Sequence, residues 1–257
     1  MNARRHFVIP DGQVKDGVPN NHWRWAGEYC AEKKPDVIIN IGDFADMPSL
    51  SSYDKGKKAF EGRRYAKDIK AARVAMDLFL APIRREQQRL KKLKKAWNPR
   101  MILTLGNHED RITRAINDDP KLEGLIGIKD LPYEGWEVFD YLLPVVVDGI
   151  AYCHFFTSGV MGRPVASARA LTTKKHCSCI MGHVQRKEID IQYTGDGKRI
   201  TSIFAGAFYQ HDEDYLNPQG NQHWRGCWML HLNNNVPGEY DELPINMEYF
   251  RHKYGPK

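Results

Sequence analysis

The sequence has no run of eighteen or more apolar residues, which excludes a transmembrane helix of ordinary length. Its opening, Met1-Asn-Ala-Arg-Arg-His6, leads into a strand-like run without the apolar stretch and small-residue cleavage site of a secretory signal, so none is expected. Cysteine is scarce and odd in number. Cys30, Cys153, Cys177, Cys179 and Cys227 are scattered and do not read as a disulfide framework. A reducing, cytoplasmic setting suits that usage. His176-Cys177-Ser-Cys179 lacks the second Cys or His pair that a tetrahedral zinc site needs, so its cysteines read as small residues flanking a strand start. Internal repeats and low-complexity tracts are also missing, which argues against a solenoid or a linker array.

What is present is ordinary in amount and uneven in place. Hydrophobic residues are 42% and charged residues 27% of the 257, a soluble globular composition long enough for one sizeable core. The formal charge of +6 is concentrated. Between Lys55 and Lys95, fifteen Lys or Arg face only Glu61, Asp68, Asp77 and Glu86, a net +11 that leaves −5 for the rest. The basicity therefore belongs to one segment. It either attracts anionic substrates and phosphate-rich polymers or is the solvated face of a helix.

The first half alternates strand and helix. Strands are expected at 6–10, 37–41 and 101–105, with a helix carrying Trp23, Ala26 and Cys30 or Ala31 inward between the first two. That order is a βαβ unit and argues for parallel pairing. Residues 46–62 read as a loop. From Arg63 to Trp97, apolar residues recur at three- or four-residue spacing, so a helix is expected, kinked or split at Pro82. Residues 111–117 read as a short helix that Asp118-Asp-Pro120 breaks. Beyond residue 135 the chain turns to β character, with runs at 136–139, 145–155, 179–181, 189–193, 199–208 and 227–232. Thr194-Gly-Asp-Gly197 reads as a hairpin turn and 166–175 as a crossover helix.

Short polar motifs stand at or near the ends of the apolar runs. Asp11-Gly-Gln13 follows the first, Gly42-Asp43-Phe-Ala-Asp46 the second and Gly106-Asn107-His108-Glu109 the third. His154 and Gly182-His183-Val-Gln185 follow later runs. Ligand sites in open α/β sheets lie beyond the carboxyl ends of the strands. Five such ends would converge on one metal-sized pocket. Each residue alone has a plainer reading as a cap, a turn former or a packed histidine.

Taken in order, the motifs resemble those of the calcineurin-like metallophosphoesterase family. The family's pattern is Asp-x-His, Gly-Asp-x-x-Asp, Gly-Asn-His-Asp/Glu, a lone His, then Gly-His-x-His. The second and third motifs match fully, and His154 best meets the fourth. Gln13 and Gln185 each stand where the pattern has a histidine. The resemblance implies a four-layer α/β/β/α sandwich and two divalent ions. Asp43 would bridge them. Asn107, His154 and His183 would complete one site, and Asp11, Gln13 and Gln185 the other. Two such ions clamp a phosphate and generate a hydroxide nucleophile near neutral pH. His108 would act at the phosphate and protonate the leaving oxygen, with Asn107 also contacting substrate. Asp46 would orient His108 or a ligand. Arg111 and His22 lie close enough in sequence to reach substrate. His176, His211 and His223 match no motif and keep a structural reading. Aromatics around Tyr209 and in 220–228 either rim the pocket or pack a sheet edge.

Both glutamines fall on the same implied ion. An amide oxygen is harder than imidazole and shifts that position towards Mn²⁺ or Mg²⁺, with Fe, Ni²⁺ or Zn²⁺ as alternatives. Two other readings stay open, an ion recruited only with substrate and glutamines that touch substrate directly. The expectation is one domain over 1–257 with a basic helical insert at about 54–97. It would be a metal-dependent phosphoesterase acting on phosphate mono- or diesters of a nucleotide or a nucleic acid, its partner a phosphorylated small molecule or a nucleic acid. A nuclease that tracks polymer DNA or RNA along the insert is one alternative. A phosphate-binding module weakened in catalysis is the other.

Overall fold

The structure, a computed structural model, describes residues 4–54, 56–213 and 223–256. Its first sheet has the strand order β13-β12-β1-β2-β3-β4. Strands β1 (Arg5–Ile9), β2 (Val37–Asn40), β3 (Arg100–Thr104) and β4 (Glu137–Phe139) run parallel, while β12 (Gly226–Leu232) and β13 (Tyr240–Asn246) are antiparallel additions on one side. The second sheet has the order β10-β11-β9-β6-β5. It comprises β5 (Val145–Val147), β6 (Ile150–Cys153), β9 (Ser178–Met181), β10 (Lys187–Tyr193) and β11 (Arg199–Ala205). A small hairpin of β7 (Thr157–Ser158) and β8 (Arg163–Pro164) stands apart.

Alternation along the strands creates the layers. Phe7 and Ile9 of β1 face α1 (Asn21–Lys33), α2 (Tyr65–Lys92) and α5 (Met247–Tyr254). Val8 points the other way, into the seam between the sheets, where it joins Ile39, Ile150, Ile203 and Trp228. The outer face of the second sheet, with Cys179 and Phe204, is covered by Ala168 and Leu171 of α4 (Ala168–Lys175). Strands buried on both faces need apolar residues at every position, which explains the unbroken runs in the sequence. The result is the α/β/β/α sandwich.

Three elements differ from the expected pattern. The helix containing Pro82 is not split, and α2 runs continuously through it. Proline removes one backbone hydrogen bond, and the buried neighbours Phe79, Leu80 and Ile83 hold the helix on both sides. The run 145–155 is two strands, turned at Asp148-Gly149, whose φ values of 51° and 82° suit a tight hairpin. The third difference is the edge strand β13 and the helix α5, which lie beyond the last run expected from the sequence. Among the described residues no helix is long and apolar enough to cross a membrane.

Helix α2 also fixes where the basic segment lies. The indole N–H of Trp97, just past its C-terminal end, donates to the Pro35 carbonyl at 2.8 Å. Pro35 precedes β2, so this end sits at the amino ends of the parallel strands. Twenty-eight residues at about 1.5 Å rise make roughly 40 Å of helix. Only the beginning of the basic segment, up to about Lys67, is near the strands' carboxyl ends. The Arg84–Lys95 stretch is not beside the cleft.

Candidate metal centre

The structure brings the motif residues together on loops that leave the carboxyl ends of β1, β2, β3, β6 and β9. The loops are stitched to one another through the backbone. Gln13 N donates to Asp43 O at 2.7 Å, Val14 N to Phe44 O at 2.8 Å and Gly182 N to His154 O at 3.0 Å. The glycines before Asn107 and His183 are required by close approach. A Cβ on Gly106 would lie 2.1 Å from Asp43 Oδ1, and one on Gly182 would lie 2.1 Å from Asp11 Oδ1. Four motif residues, Gln13, Asp43, His183 and Gln185, have φ between 42° and 64°. Non-glycine residues avoid that region unless their surroundings force them, and such forced positions gather at functional sites.

Asp43, His154 and His183 offer ligand atoms all within 4.8 Å of one another. Asn107 Oδ1 lies between them, 2.9 Å from His154 Nε2 and 2.8 Å from His183 Nδ1. His154 Nδ1–H donates to the Ile41 carbonyl at 3.0 Å. In the neutral ring that leaves a lone pair on Nε2 aimed at Asn107 Oδ1 and at Asp43 Oδ2, 3.3 Å away. Three acceptors then face one another, and a proton or a cation relieves them. Burial opposes a charge on His154, but Asp43, followed by Asp11 and Glu109, outweighs it and lifts the imidazole to about 9. His183 goes the other way, to about 4, because burial and the neighbouring His154 disfavour its charge.

Asp11 and Gln13 adjoin this cluster. Asp11 Oδ1 accepts from His183 N at 3.0 Å, while Asp11 Oδ2 and Gln13 Oε1 are buried with no hydrogen-bond partner among the described residues. Burial, then the charge of Asp43, pushes the Asp11 carboxyl up to about 7. Orphaned buried oxygens are costly, and a divalent cation is what this donor set fits. Gln185 is also present, but its Oε1 accepts the Tyr209 hydroxyl at 2.9 Å.

His108 sits at the rim. Its backbone N–H donates to Asp43 Oδ1 at 2.9 Å, and its Nε2 is 3.7 Å from Asp43 Oδ2. Its Nδ1 lies 2.6 Å from Asp46 Oδ1. Burial lowers its basicity, yet Asp43 and Asp46 together raise it above the ordinary value. Arg111 turns inward and donates to the Asp46 carbonyl at 2.6 Å and to Asp46 Oδ1 at 3.1 Å. Lys15 Nζ, 3.4 Å from Asp46 Oδ2 and 2.8 Å from Glu213 Oε2, extends this network. A cleft of about 460 Å³ opens beside it, lined by Lys15, Arg63, Arg64, Lys67 and His211 among others.

Sequence reasoning assigned no role to Glu109. The structure makes it the staple between two turns. Its Oε2 accepts from Asp43 N at 3.0 Å and Gly106 N at 2.9 Å, and its Oε1 from Ala45 N at 2.9 Å and the Tyr133 hydroxyl at 3.0 Å. An acid at the end of Gly-Asn-His-Glu was the available signal. Lys15, Tyr209 and Glu213 carried no such signal, because their partners are distant in sequence. His22 does not reach the centre. It is buried, with Nε2–H on the Phe208 carbonyl and Nδ1 accepting from Gln210. Tyr209 and Trp228 are buried and pack rather than rim a pocket, and residues 220–222 lie outside the described residues. His211 and His223 bond Glu213 and Tyr209, respectively.

No family model and no curated protein sequence matches the chain. Among solved structures, it is similar to an uncharacterized predicted phosphoesterase from Streptococcus pneumoniae, at 11% identity and a TM-score of 0.34, covering 95% of this chain and 99% of that one. It is also similar to a dimetal phosphatase from Danio rerio, at 10% identity and a TM-score of 0.42, covering 96% of this chain and 100% of that one. Likeness at these scores does not place the chain in either protein's family.

Proposed function

We propose that the chain is a metal-dependent phosphoesterase. The observation that carries this reading is the clustering of Asp43, His154 and His183, whose ligand atoms lie within 4.8 Å of one another around Asn107 Oδ1, beside the unpartnered buried oxygens Asp11 Oδ2 and Gln13 Oε1. Asp43, Asn107, His154 and His183 would hold one divalent ion. Asp11, Gln13 and Asp43, with Gln185 behind them, would hold a second, for which hard oxygen donors favour Mn²⁺ or Mg²⁺. When bound, such ions supply Lewis-acid charge to the phosphoryl oxygens and lower the pKa of the attacking water.

The chain's own groups do the rest. His108, kept basic by Asp43 and Asp46, would carry a proton on Nε2 to the departing ester oxygen once substrate draws that atom away from Arg111 Nη2, 3.3 Å distant. Asp46 fixes the ring through Nδ1, and Arg111 and Lys15 fix Asp46. Asn107 sets its amide oxygen between the two histidines. Glu109 holds the Asp43 turn in its left-handed conformation. The course of α2 away from the centre favours a small phosphorylated substrate, including a nucleotide, over a polymer tracked along the whole basic segment.

The test is hydrolysis of chromogenic mono- and diesters with Mn²⁺, Mg²⁺, Fe²⁺, Ni²⁺ and Zn²⁺ in turn, with Asp43→Ala as control. Turnover should require an added ion and vanish in the variant. Full activity in Asp43→Ala would sink the site assignment, and no turnover with any ion would favour a phosphate-binding module. A steep loss of activity with salt would return the basic segment to a polymer-binding role.

A further inference from the structure

Cys177 and Cys179 take no part in the chemistry above, yet their sulfur atoms lie 3.5 Å apart. Residues two apart on a strand project to one face, and Cys177 is the residue immediately before β9. Ser178 between them points the opposite way, its hydroxyl donating to the Gly238 carbonyl at 2.6 Å. His176, at a φ of 53°, ends α4 and swings the chain into the strand, which brings Cys177 over Cys179. The two thiols have unequal surroundings. Cys179 is fully buried in the cluster under α4, whereas Cys177 is half-buried at its margin. The contact with the Cys179 sulfur, in which either thiol can donate, then Lys175 and Lys198, pulls Cys177 down to about 7 against the effect of burial. The same contact, then burial, pushes Cys179 far above the ordinary thiol range.

A half-buried sulfur in contact with a fully buried one is the arrangement of an attacking and a resolving cysteine. We propose that Cys177 and Cys179 form a dithiol–disulfide site that reacts with small disulfides of the glutathione-disulfide type and closes to an intramolecular bond. The Cys177 thiolate attacks one sulfur of the small disulfide, whose S–S bond breaks and releases one thiolate. Cys179 then gives its proton to solvent and its sulfur attacks Cys177 Sγ, releasing the second thiolate. The two protein thiols lose two electrons, and the small disulfide gains them and leaves as two thiols. Closure shortens the sulfur separation from 3.5 Å to about 2.05 Å. Cys177, one residue outside the ladder, makes that movement while Cys179 stays paired between β6 and β11. Cys177 stands just before the start of β9 and His183 two residues beyond its end, so the pair lies at the opposite end of that strand from the candidate metal centre.

A third sulfur on the same face supplies the internal control. Cys153 of β6 is buried, and its thiol donates to the Phe155 carbonyl at 3.1 Å. The whole protein is incubated with glutathione disulfide near neutral pH, quenched with acid, digested and examined by mass spectrometry. The parent should yield a peptide short of two hydrogens with the bond mapped to 177–179. Cys153→Ser should leave that product unchanged, and Cys177→Ser should abolish it. Cys179→Ser should instead keep one glutathione on Cys177, because no resolving thiol remains. The parent result needs no variant to fold. A lasting glutathione adduct on parent Cys177, a bond between Cys153 and Cys179, or an unreactive Cys177 each overturns the proposal.

Discussion

Glu109→Gln takes one acceptor oxygen from a carboxylate that has none to spare. Four donors share its two oxygens, three of them backbone N–H groups. The new amide would turn its NH₂ group towards Tyr133, whose hydroxyl can reverse and accept, but the Ala45 N–H then faces a donor. One buried N–H left unpaired costs about 1–3 kcal/mol, and loss of the charged acceptor weakens the remaining bonds by roughly 1 kcal/mol each. Part of this is offset. Burial, and then the nearby charge of Asp43, already disfavours ionised Glu109, and the amide removes that conflict. The net loss should be about 2–4 kcal/mol, a fall in Tm of roughly 5–12 °C for a chain of this length. Because the Asp43 N–H is one of the four donors, the turn that presents Asp43 loosens as well. Affinity for Mn²⁺ by titration calorimetry should drop about tenfold or more. Urea unfolding measures the stability term. A variant within about 0.5 kcal/mol of the parent and unaltered in metal affinity would refute the stapling role.

Asp46→Asn should lower kcat on alkyl phosphates about 10²-fold, because His108 loses the partner that aims and charges it, while p-nitrophenyl esters, whose leaving group needs little protonation, lose much less. Equal losses on both would contradict a proton-donor role. Gln13→His combined with Gln185→His should tighten Zn²⁺ or Fe²⁺ binding in competition titrations, and unchanged affinity would remove both glutamines from the second ion. Two buried histidines set an acid limit on stability. Burial holds His6 at about 4 and His22 at about 3, against 6.5 for a free ring. The unfolded chain therefore binds more protons below pH 6.5. Their contribution is complete above that pH and is lost as pH falls towards 4 and then 3, with roughly 3 kcal/mol from His6 alone. His22→Leu should flatten the fall in urea midpoint between pH 6.5 and 4, and a curve parallel to the parent's would exclude His22 as a source.

The parallel half of the fold was legible because strands buried on both faces must be apolar throughout, and Phe7-Val-Ile9 and Val37-Ile-Ile39 are. The motif loops were legible for a related reason, since Gly106 and Gly182 sit where any side chain would strike Asp43 or Asp11. Other features depend on contacts that no local pattern carries. Strand β12 returns from the far end of the sequence to pair with β1, as Trp228 opposite Val8 shows. Strand β13 contains Pro244, and its in–out alternation breaks at the exposed pair Leu243-Pro244, which a sheet edge tolerates and which hides the strand in the sequence. Pro82 was read as a kink or a split because proline opposes a helix locally, and packing on α1 keeps the helix from splitting. At the candidate metal centre, the residue types at the strand ends could be read, but the partners that lock them could not. Tyr209 on Gln185, Lys15 on Asp46 and Glu109 across two turns are facts of tertiary structure.

Crystals grown with Mn²⁺ and measured at a wavelength where manganese scatters anomalously test the central claim most directly. A peak within coordination distance of Asp43, Asn107, His154 and His183, with a second beside Asp11 and Gln13, is the predicted result. A centre without either peak, in which His154 still lies against Asn107 and Asp43, would contradict it.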